Sequence, residues 1–176
     1  MADRLQARSA LEDILRPGGS AGMTLRERTG LGLASIQARR ARTGELARLV
    51  RERFGVELPE GPKRVAAGEI AFVGTGPGKW LAISEHGADL DLSGMAAVVD
   101  QSDAWGVMRV EGPAAREMLQ QRLPIDLHPR AFGPGDAAAT SLGHIGVLLW
   151  QLDDAPSYEI AAPRSYAASF CHALLG

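Results

Sequence analysis

The sequence has very little cysteine and no long apolar run. Cys171 is the only cysteine among 176 residues, so an internal disulfide and a cysteine-cluster metal site are both excluded. No stretch of about 18 apolar residues occurs, which excludes a membrane-spanning helix. The start MADRLQARSALED carries charges where a secretory signal needs an apolar core. We therefore expect a cytoplasmic protein that does not enter a membrane.

The composition is that of a globular protein, with 45% hydrophobic and 23% charged residues. A chain of this length buries one substantial core.

The first residues are predicted to form a separate segment. Ser9 and Glu12 favour a short helix over 9–15, and the Pro-Gly-Gly-Ser run at 17–20 ends it. We predict an N-terminal arm over residues 1–22 and a single domain over residues 23–176.

Lysine is also scarce, and charge is distributed unevenly along the chain. Residues 1–64 hold 13 basic and 8 acidic groups, a net charge of +5, whereas residues 65–176 hold 6 and 13, a net charge of -7. All cations except Lys63 and Lys79 are arginine, which suits bidentate pairing at interfaces. The sequence pI of about 6.1 and the absence of a reader motif argue against nucleic acid as the partner. A partner protein with an acidic surface would account for the basic segment as well.

Periodicity and turn residues predict the order of the elements. We expect helices at 43–54, near 89–97, at 113–123 and from Ser165 onward, and strands at 31–38, 70–73, 80–83, 105–110, 136–143, 145–152 and 157–162. Many of the strands are joined by short turns, whereas a doubly wound fold needs a helical crossover between successive strands. This favours an α+β fold with a mainly antiparallel sheet and packed helices.

The glycine-rich segment GTGPGKW at 74–80 is a candidate phosphate loop. A Walker A loop requires glycine where Val73 stands and serine or threonine where Trp80 stands, and a dinucleotide fingerprint requires glycine in place of Lys79. Two apolar runs flank the segment. We interpret it as the turn of a hairpin.

Four groups of polar residues are candidates for a metal-binding or catalytic site. His128 lies two residues from Asp126, but neither it nor His144 has a metal-ligand spacing around it, and we expect both to have structural roles. Ser102 and Asp103 lack a nucleophile elbow. Cys171 and His172 are adjacent on a helix and point about 100° apart, which is poor geometry for a nucleophile and its base. We predict no catalytic, cofactor-binding or metal-binding residues in this chain.

Several segments together resemble the gamma subunit of heterotetrameric sarcosine oxidase. The most specific combination is DQSD at 100–103, IDLHPRAF at 125–132 and PRSYAASF at 163–170, with further similarity at 23–40, 68–84 and 124–152. The resemblance covers nearly all of the chain after residue 20. It implies an accessory subunit with a fold similar to the folate-binding domain of the glycine-cleavage T-protein.

The resemblance also implies which other components are present. The family's complex oxidises the N-methyl group of sarcosine and forms glycine, hydrogen peroxide and methylene-tetrahydrofolate. FAD, FMN, NAD, tetrahydrofolate and zinc are then expected in the alpha, beta and delta subunits, and no cofactor in this chain. A similar fold does not transfer a folate site, because function depends on the residues of a site.

We expect this chain to be non-catalytic and to dock mainly on the alpha subunit. Arg26, Arg28, Arg39 and Arg40 are the predicted interface residues, because cations suit an acidic partner surface. Two alternatives are the equivalent subunit of an N-methyl amino acid dehydrogenase, such as N-methylglutamate dehydrogenase, and a stand-alone folate-dependent aminomethyl transferase.

Overall fold

The computed structural model describes residues 8–12, 22–87, 90–92 and 94–175, which form two five-stranded antiparallel sheets and three α-helices. The first sheet has the strand order β1-β7-β10-β9-β8 and the second has the order β3-β4-β5-β2-β6. The strands are β1 Thr24–Glu27, β2 Gly32–Ala38, β3 Arg64–Ala67, β4 Ile70–Gly76, β5 Lys79–Ser84, β6 Ala96–Asp100, β7 Trp105–Glu111, β8 Ala137–Leu142, β9 Ile145–Asp153 and β10 Ser157–Pro163. The helices are α1 Thr43–Phe54, α2 Ala115–Arg122 and α3 Ala167–Leu175, the last preceded by a 3-10 turn at Arg164–Tyr166.

The two sheets pack face to face. Successive residues of a strand point to opposite faces, and here both faces of the second sheet are buried over β4 and β5. Val73 and Leu81 lie in one apolar cluster with Val107 and Trp150 of the first sheet. This cluster is the core between the sheets.

Helices cover the outer faces. In the second sheet, Phe72 packs in a cluster with Leu46 and Val50 of α1. In the first sheet, Tyr158 packs in a cluster with Leu119 of α2. The layer order is helix, sheet, sheet, helix, which confirms the predicted α+β class with antiparallel sheets.

Helix α1 matches its prediction because its local signals agree. Leu46 and Val50 share the buried face at a spacing of four residues, while Arg48 is exposed. Gly55 ends the helix with φ 66°, and its N–H donates to the carbonyl oxygen of Arg51. The hairpin predicted around GTGPGKW is also confirmed, since β4 and β5 pair antiparallel across it.

The predicted helix near 89–97 is wrong within the described residues. Residues 90–92 have no regular structure, residues 94–95 form a turn and β6 starts at Ala96. Gly94 has φ 82°, which ends any local helix, and pairing with β2 makes the following residues a strand. Residues 88, 89 and 93 lie outside the described residues.

The N-terminal segment contacts the domain where it is described. The backbone N–H groups of Ala10 and Leu11 donate to the Glu27 carboxylate at 3.1 and 3.2 Å. Leu11 is 1% exposed and belongs to the cluster that contains Phe170. Residues 10–11 form a bend and residue 12 a turn in place of the start of the predicted short helix, whose residues 13–15 lie outside the described part. The boundary between arm and domain at residue 22 stays a prediction.

Leu11→Ala should lower the free energy of unfolding by about 2 kcal/mol, since it removes a fully buried side chain from the core. Glu12→Ala is the control, because the neighbouring Glu12 is exposed and its truncation should change stability by less than about 0.5 kcal/mol. Urea unfolding followed by tryptophan fluorescence measures both. Equal stability of the two variants would show that Leu11 does not anchor the segment.

Candidate subunit-interface surface

The structure separates the four arginines predicted at an interface. Arg26 lies on β1, at the edge of the first sheet, with half of its side chain exposed and its Nε donating to the Glu111 carboxylate at 3.4 Å. Arg28 follows β1 and is only 11% exposed. Its guanidinium is paired with both Glu85 and Glu159. The charge of Arg28 is therefore balanced within the fold.

Glu159 is the centre of a buried polar cluster. It is 2% exposed, and its cross-strand neighbours are Trp150 and Arg109. Trp150 Nε1 donates to Glu159 Oε2 at 2.9 Å, and Arg109 donates to Oε1 from Nε at 3.0 Å and from Nη2 at 2.7 Å. Together with the Arg28 ion pair, these contacts satisfy both carboxylate oxygens.

The charges and burial of this cluster shift the pKa values of Glu85, Arg28 and Arg64. The hydrogen bond from Arg28 is the main cause that holds the pKa of Glu85 below its usual value. Burial acts to lower the pKa of Arg28, but the hydrogen bonds and charges of the two glutamates raise it overall. Burial lowers the pKa of nearby Arg64, whose Nε is buried without a hydrogen-bond partner. We interpret the cluster as a structural ion network between the sheets.

Arg39 and Arg40 lie at a different place, immediately after β2. Both are exposed, and the ion pairs formed within the described part of the chain include neither. They line an open surface cavity of about 720 Å³ with Arg42, Gly94 and Ala97. These two arginines therefore present exposed positive charge beside the cavity.

Strand β6 borders the same cavity and forms an edge of the second sheet. It is the terminal strand of that sheet and pairs with β2 on its inner side. Val98 and Val99 are 37% and 54% exposed, which is unusual for large hydrophobic residues of a strand. We call Ala96–Asp100 together with Arg39 and Arg40 the β6 edge surface.

Arg39 and Arg40 were predicted from the sequence as interface residues, but the strand beside them was not predicted. The available signal was the run AAVV at 96–99, with two β-branched residues before the turn at DQSD. The run is too short to show an alternating pattern. Its pairing with β2 brings it beside Arg39, 57 or more residues away in the sequence.

The residues tested for catalysis do not come together. Cys171 is fully buried with its sulfur 3.3 Å from that of Met108, and burial raises the pKa of its thiol to about 11. Ser102 Oγ donates to Asp100 Oδ1 at 2.7 Å in a local turn. Within the described residues, no three histidine, cysteine or acidic side chains are grouped closely enough to bind a metal ion.

The histidines have the local positions expected of them. His128 N–H donates to Asp126 Oδ1 at 2.8 Å, and His128 Nδ1 accepts from the backbone N–H of Arg130 at 3.2 Å. His144 lies in the turn between β8 and β9.

In the described chain, no helix has the length and apolar composition needed to cross a bilayer.

Comparison with known proteins identifies the family. The chain is 34% identical over 179 residues to the sarcosine oxidase subunit gamma of Corynebacterium sp. (strain P-1), covering 94% of this chain and 85% of that protein. It is 36% identical over 180 residues to the same subunit of Corynebacterium sp. (strain U-96), covering 95% and 84%. The subunit from Arthrobacter sp. is 34% identical over 166 residues, covering 89% and 80%. No protein-family model matches the chain.

Solved structures agree with the sequence comparison. A chain of the heterotetrameric sarcosine oxidase from Corynebacterium sp. U-96, in complex with pyrrole 2-carboxylate, superposes with a TM-score of 0.82 at 28% identity, covering 96% of this chain and 93% of that one. The glycine cleavage system aminomethyltransferase T from Bartonella henselae has a TM-score of 0.58 at 11% identity over 88% of this chain and 46% of that one, which shows a shared fold alone. By identity above 30% along nearly its whole length, the chain belongs to the sarcosine oxidase gamma subunit family.

Proposed function

We propose that this chain is the accessory gamma subunit of a heterotetrameric sarcosine oxidase. The observation that carries the proposal is the whole-length similarity to three gamma subunits, together with the TM-score of 0.82 to a chain of the tetrameric enzyme. A match along about nine-tenths of the chain includes the sheets, the helices and their connections. The other subunits of such an enzyme are therefore its partners, with the alpha subunit as the main contact.

We also propose that the chemistry takes place in the partner subunits. The complex removes the N-methyl group of sarcosine by oxidation, giving glycine, hydrogen peroxide and methylene-tetrahydrofolate. In this chain the candidate nucleophile Cys171 is a buried thiol with a raised pKa, so it is poorly suited to attack a substrate. FAD, FMN, NAD, tetrahydrofolate and zinc are assigned to the alpha, beta and delta subunits of an enzyme in the cytoplasm.

Affinity purification of the tagged chain from its native host tests this function. Three further polypeptides and flavin absorbance should co-purify, and the complex should oxidise sarcosine in preference to N-methylglutamate. Preference for N-methylglutamate would instead assign the chain to the related dehydrogenase complex. The isolated chain should neither oxidise sarcosine nor bind folate in a calorimeter. Saturable folate binding by the isolated chain would favour a stand-alone aminomethyl transferase.

A further inference from the structure

The backbone of β6 has hydrogen-bonding groups that point away from its sheet. Gln101 N–H donates to the carbonyl oxygen of Leu33, and Arg39 N–H donates to that of Met95, which fixes the bonded pairs at both ends of the β2–β6 ladder. Bonded and non-bonded pairs alternate along antiparallel strands. The residues whose N–H and C=O point away from β2 are therefore Ala96, Val98 and Asp100, and the N–H of Ala96 already donates to the carbonyl oxygen of Leu92 at 3.1 Å.

Three of the features that usually prevent a further strand from pairing are missing from this edge. Protected edges carry lysine, proline or a bulge, whereas Ala96–Asp100 contains neither residue type and keeps a continuous register with β2. At the opposite edge of the same sheet, the outward N–H of Arg64 donates to the carbonyl oxygen of Gly135 at 2.7 Å. Among the described residues, each edge therefore has one capped N–H group, that of Arg64 on β3 and that of Ala96 on β6, and the outward N–H groups of Val98 and Asp100 stay available to a further strand.

Charge is arranged asymmetrically along β6. Arg39 and Arg40 lie at the end where the strand starts, beside the cavity of about 720 Å³. Asp100 lies at the other end, and with Val98 it lines a second surface cavity of about 740 Å³. A segment that pairs with β6 meets two cations at one end and a carboxylate at the other. This pattern favours one strand direction and one register.

We propose that an extended segment of a partner subunit adds to β6 as a sixth strand of the second sheet, with acidic side chains opposite Arg39 and Arg40. The backbone groups of Val98 supply the central hydrogen bonds, and the exposed Val98 and Val99 side chains supply apolar contact. The proposal rests on the proposed function, because the segment belongs to the alpha, beta or delta subunit.

Val98→Pro tests the strand addition without removing a β2 hydrogen bond. Proline is tolerated at an edge position whose N–H points outward, but it cannot donate to an added strand. Ala66→Pro is the matched control, because Ala66 is exposed and its N–H points away from β4, as that of Arg64 does. When each tagged variant is co-expressed with the other three subunits, Val98→Pro should recover at least about tenfold less of them. Ala66→Pro should match the wild type.

The double variant Arg39→Glu/Arg40→Glu tests the charge of the partner segment. It leaves the β2–β6 ladder intact, and its recovery of partner subunits should also fall at least about tenfold. Arg48→Glu is its control, since Arg48 is exposed on α1 and lines neither of the cavities beside β6. Wild-type recovery by the double variant would contradict the acidic partner segment.

Hydrogen exchange provides a measurement that needs no variant. The amides of Val98 and Asp100 should exchange at least about tenfold more slowly in the assembled complex than in the free chain, whereas that of Ala66 should exchange equally in both. Equal exchange at β6, or full recovery of partners by a folded Val98→Pro chain, would overturn the proposal and leave the accessory-subunit function standing. A wild-type chain that captures no flavin-containing subunits would contradict the function itself.

Discussion

Glu159→Ala should lower the free energy of unfolding by about 3–5 kcal/mol, which is the usual effect of removing one partner of a buried ion pair. The carboxylate is 2% exposed and accepts hydrogen bonds from Arg28, Arg109 and Trp150. Its removal takes away a carboxylate that the largely buried guanidinium groups of Arg28 and Arg109 share, and it leaves the indole N–H of Trp150 unpaired between the sheets. Urea unfolding followed by tryptophan fluorescence measures the loss.

Glu57→Ala is the matched control for Glu159. Glu57 also pairs with an arginine, Arg51, but the carboxylate side chain is 61% exposed. Exposed ion pairs contribute less than about 1 kcal/mol, so this variant should unfold almost as the wild type does. A loss below about 1 kcal/mol for Glu159→Ala would mean that water or a shifted side chain replaces the carboxylate, and that the cluster does not hold the two sheets together.

The Glu159 cluster changes how the basic N-terminal half is interpreted. The net charge of +5 over residues 1–64 predicted a row of interface arginines. Arg28 is instead neutralised by Glu85 and Glu159, which belong to the acidic half of the sequence. Part of the charge asymmetry along the chain is thus cancelled inside the fold. The cations that remain available for a partner include Arg39 and Arg40.

The elements with strong local signals were predictable. Helix α1 has a capping glycine and an apolar face, and the β4–β5 hairpin has apolar runs around a Gly-Pro cluster. The strands β1, β3 and β6 were not predicted. Each has only four or five residues, and each becomes a strand through pairing with a distant or adjacent longer strand. Such tertiary pairing overrides weak local preference.

The candidate interface was only partly predictable for the same reason. Composition indicates that arginine is available at a surface, but it does not indicate which arginine meets a glutamate 131 residues away, as Arg28 does. The exposed Arg39 and Arg40 follow a strand that the sequence did predict. Their position beside an open edge depends on β6, and therefore on a pairing that no local pattern contains.

Gly74 in the glycine-rich segment lies where two backbone segments come close together. Gly74 lies at the irregular end of β4, and its N–H donates to the carbonyl oxygen of Lys63 at 2.9 Å. A Cβ at Gly74 would lie less than 3.0 Å from the carbonyl oxygen of Gly61. The loop around Gly61 is further held by Trp80 Nε1, which donates to the carbonyl oxygen of Pro59 at 2.8 Å. Neither backbone segment is free to move aside.

Gly74→Ala should therefore lower the free energy of unfolding by about 3 kcal/mol, the upper range for forcing extra volume into a packed site. Gly76→Ala is the matched control in the same motif, because a Cβ there meets nothing within 4 Å, and it should change stability by less than about 0.5 kcal/mol. Thermal and urea unfolding of both variants measure the difference. If the segment were instead a phosphate-binding loop, Gly74→Ala would leave the free energy of unfolding unchanged and would abolish anion binding. Equal stability of the two variants would show that the backbone around Gly61 moves to accommodate the added methyl group. The close approach of the two backbone segments would then not explain why position 74 is glycine.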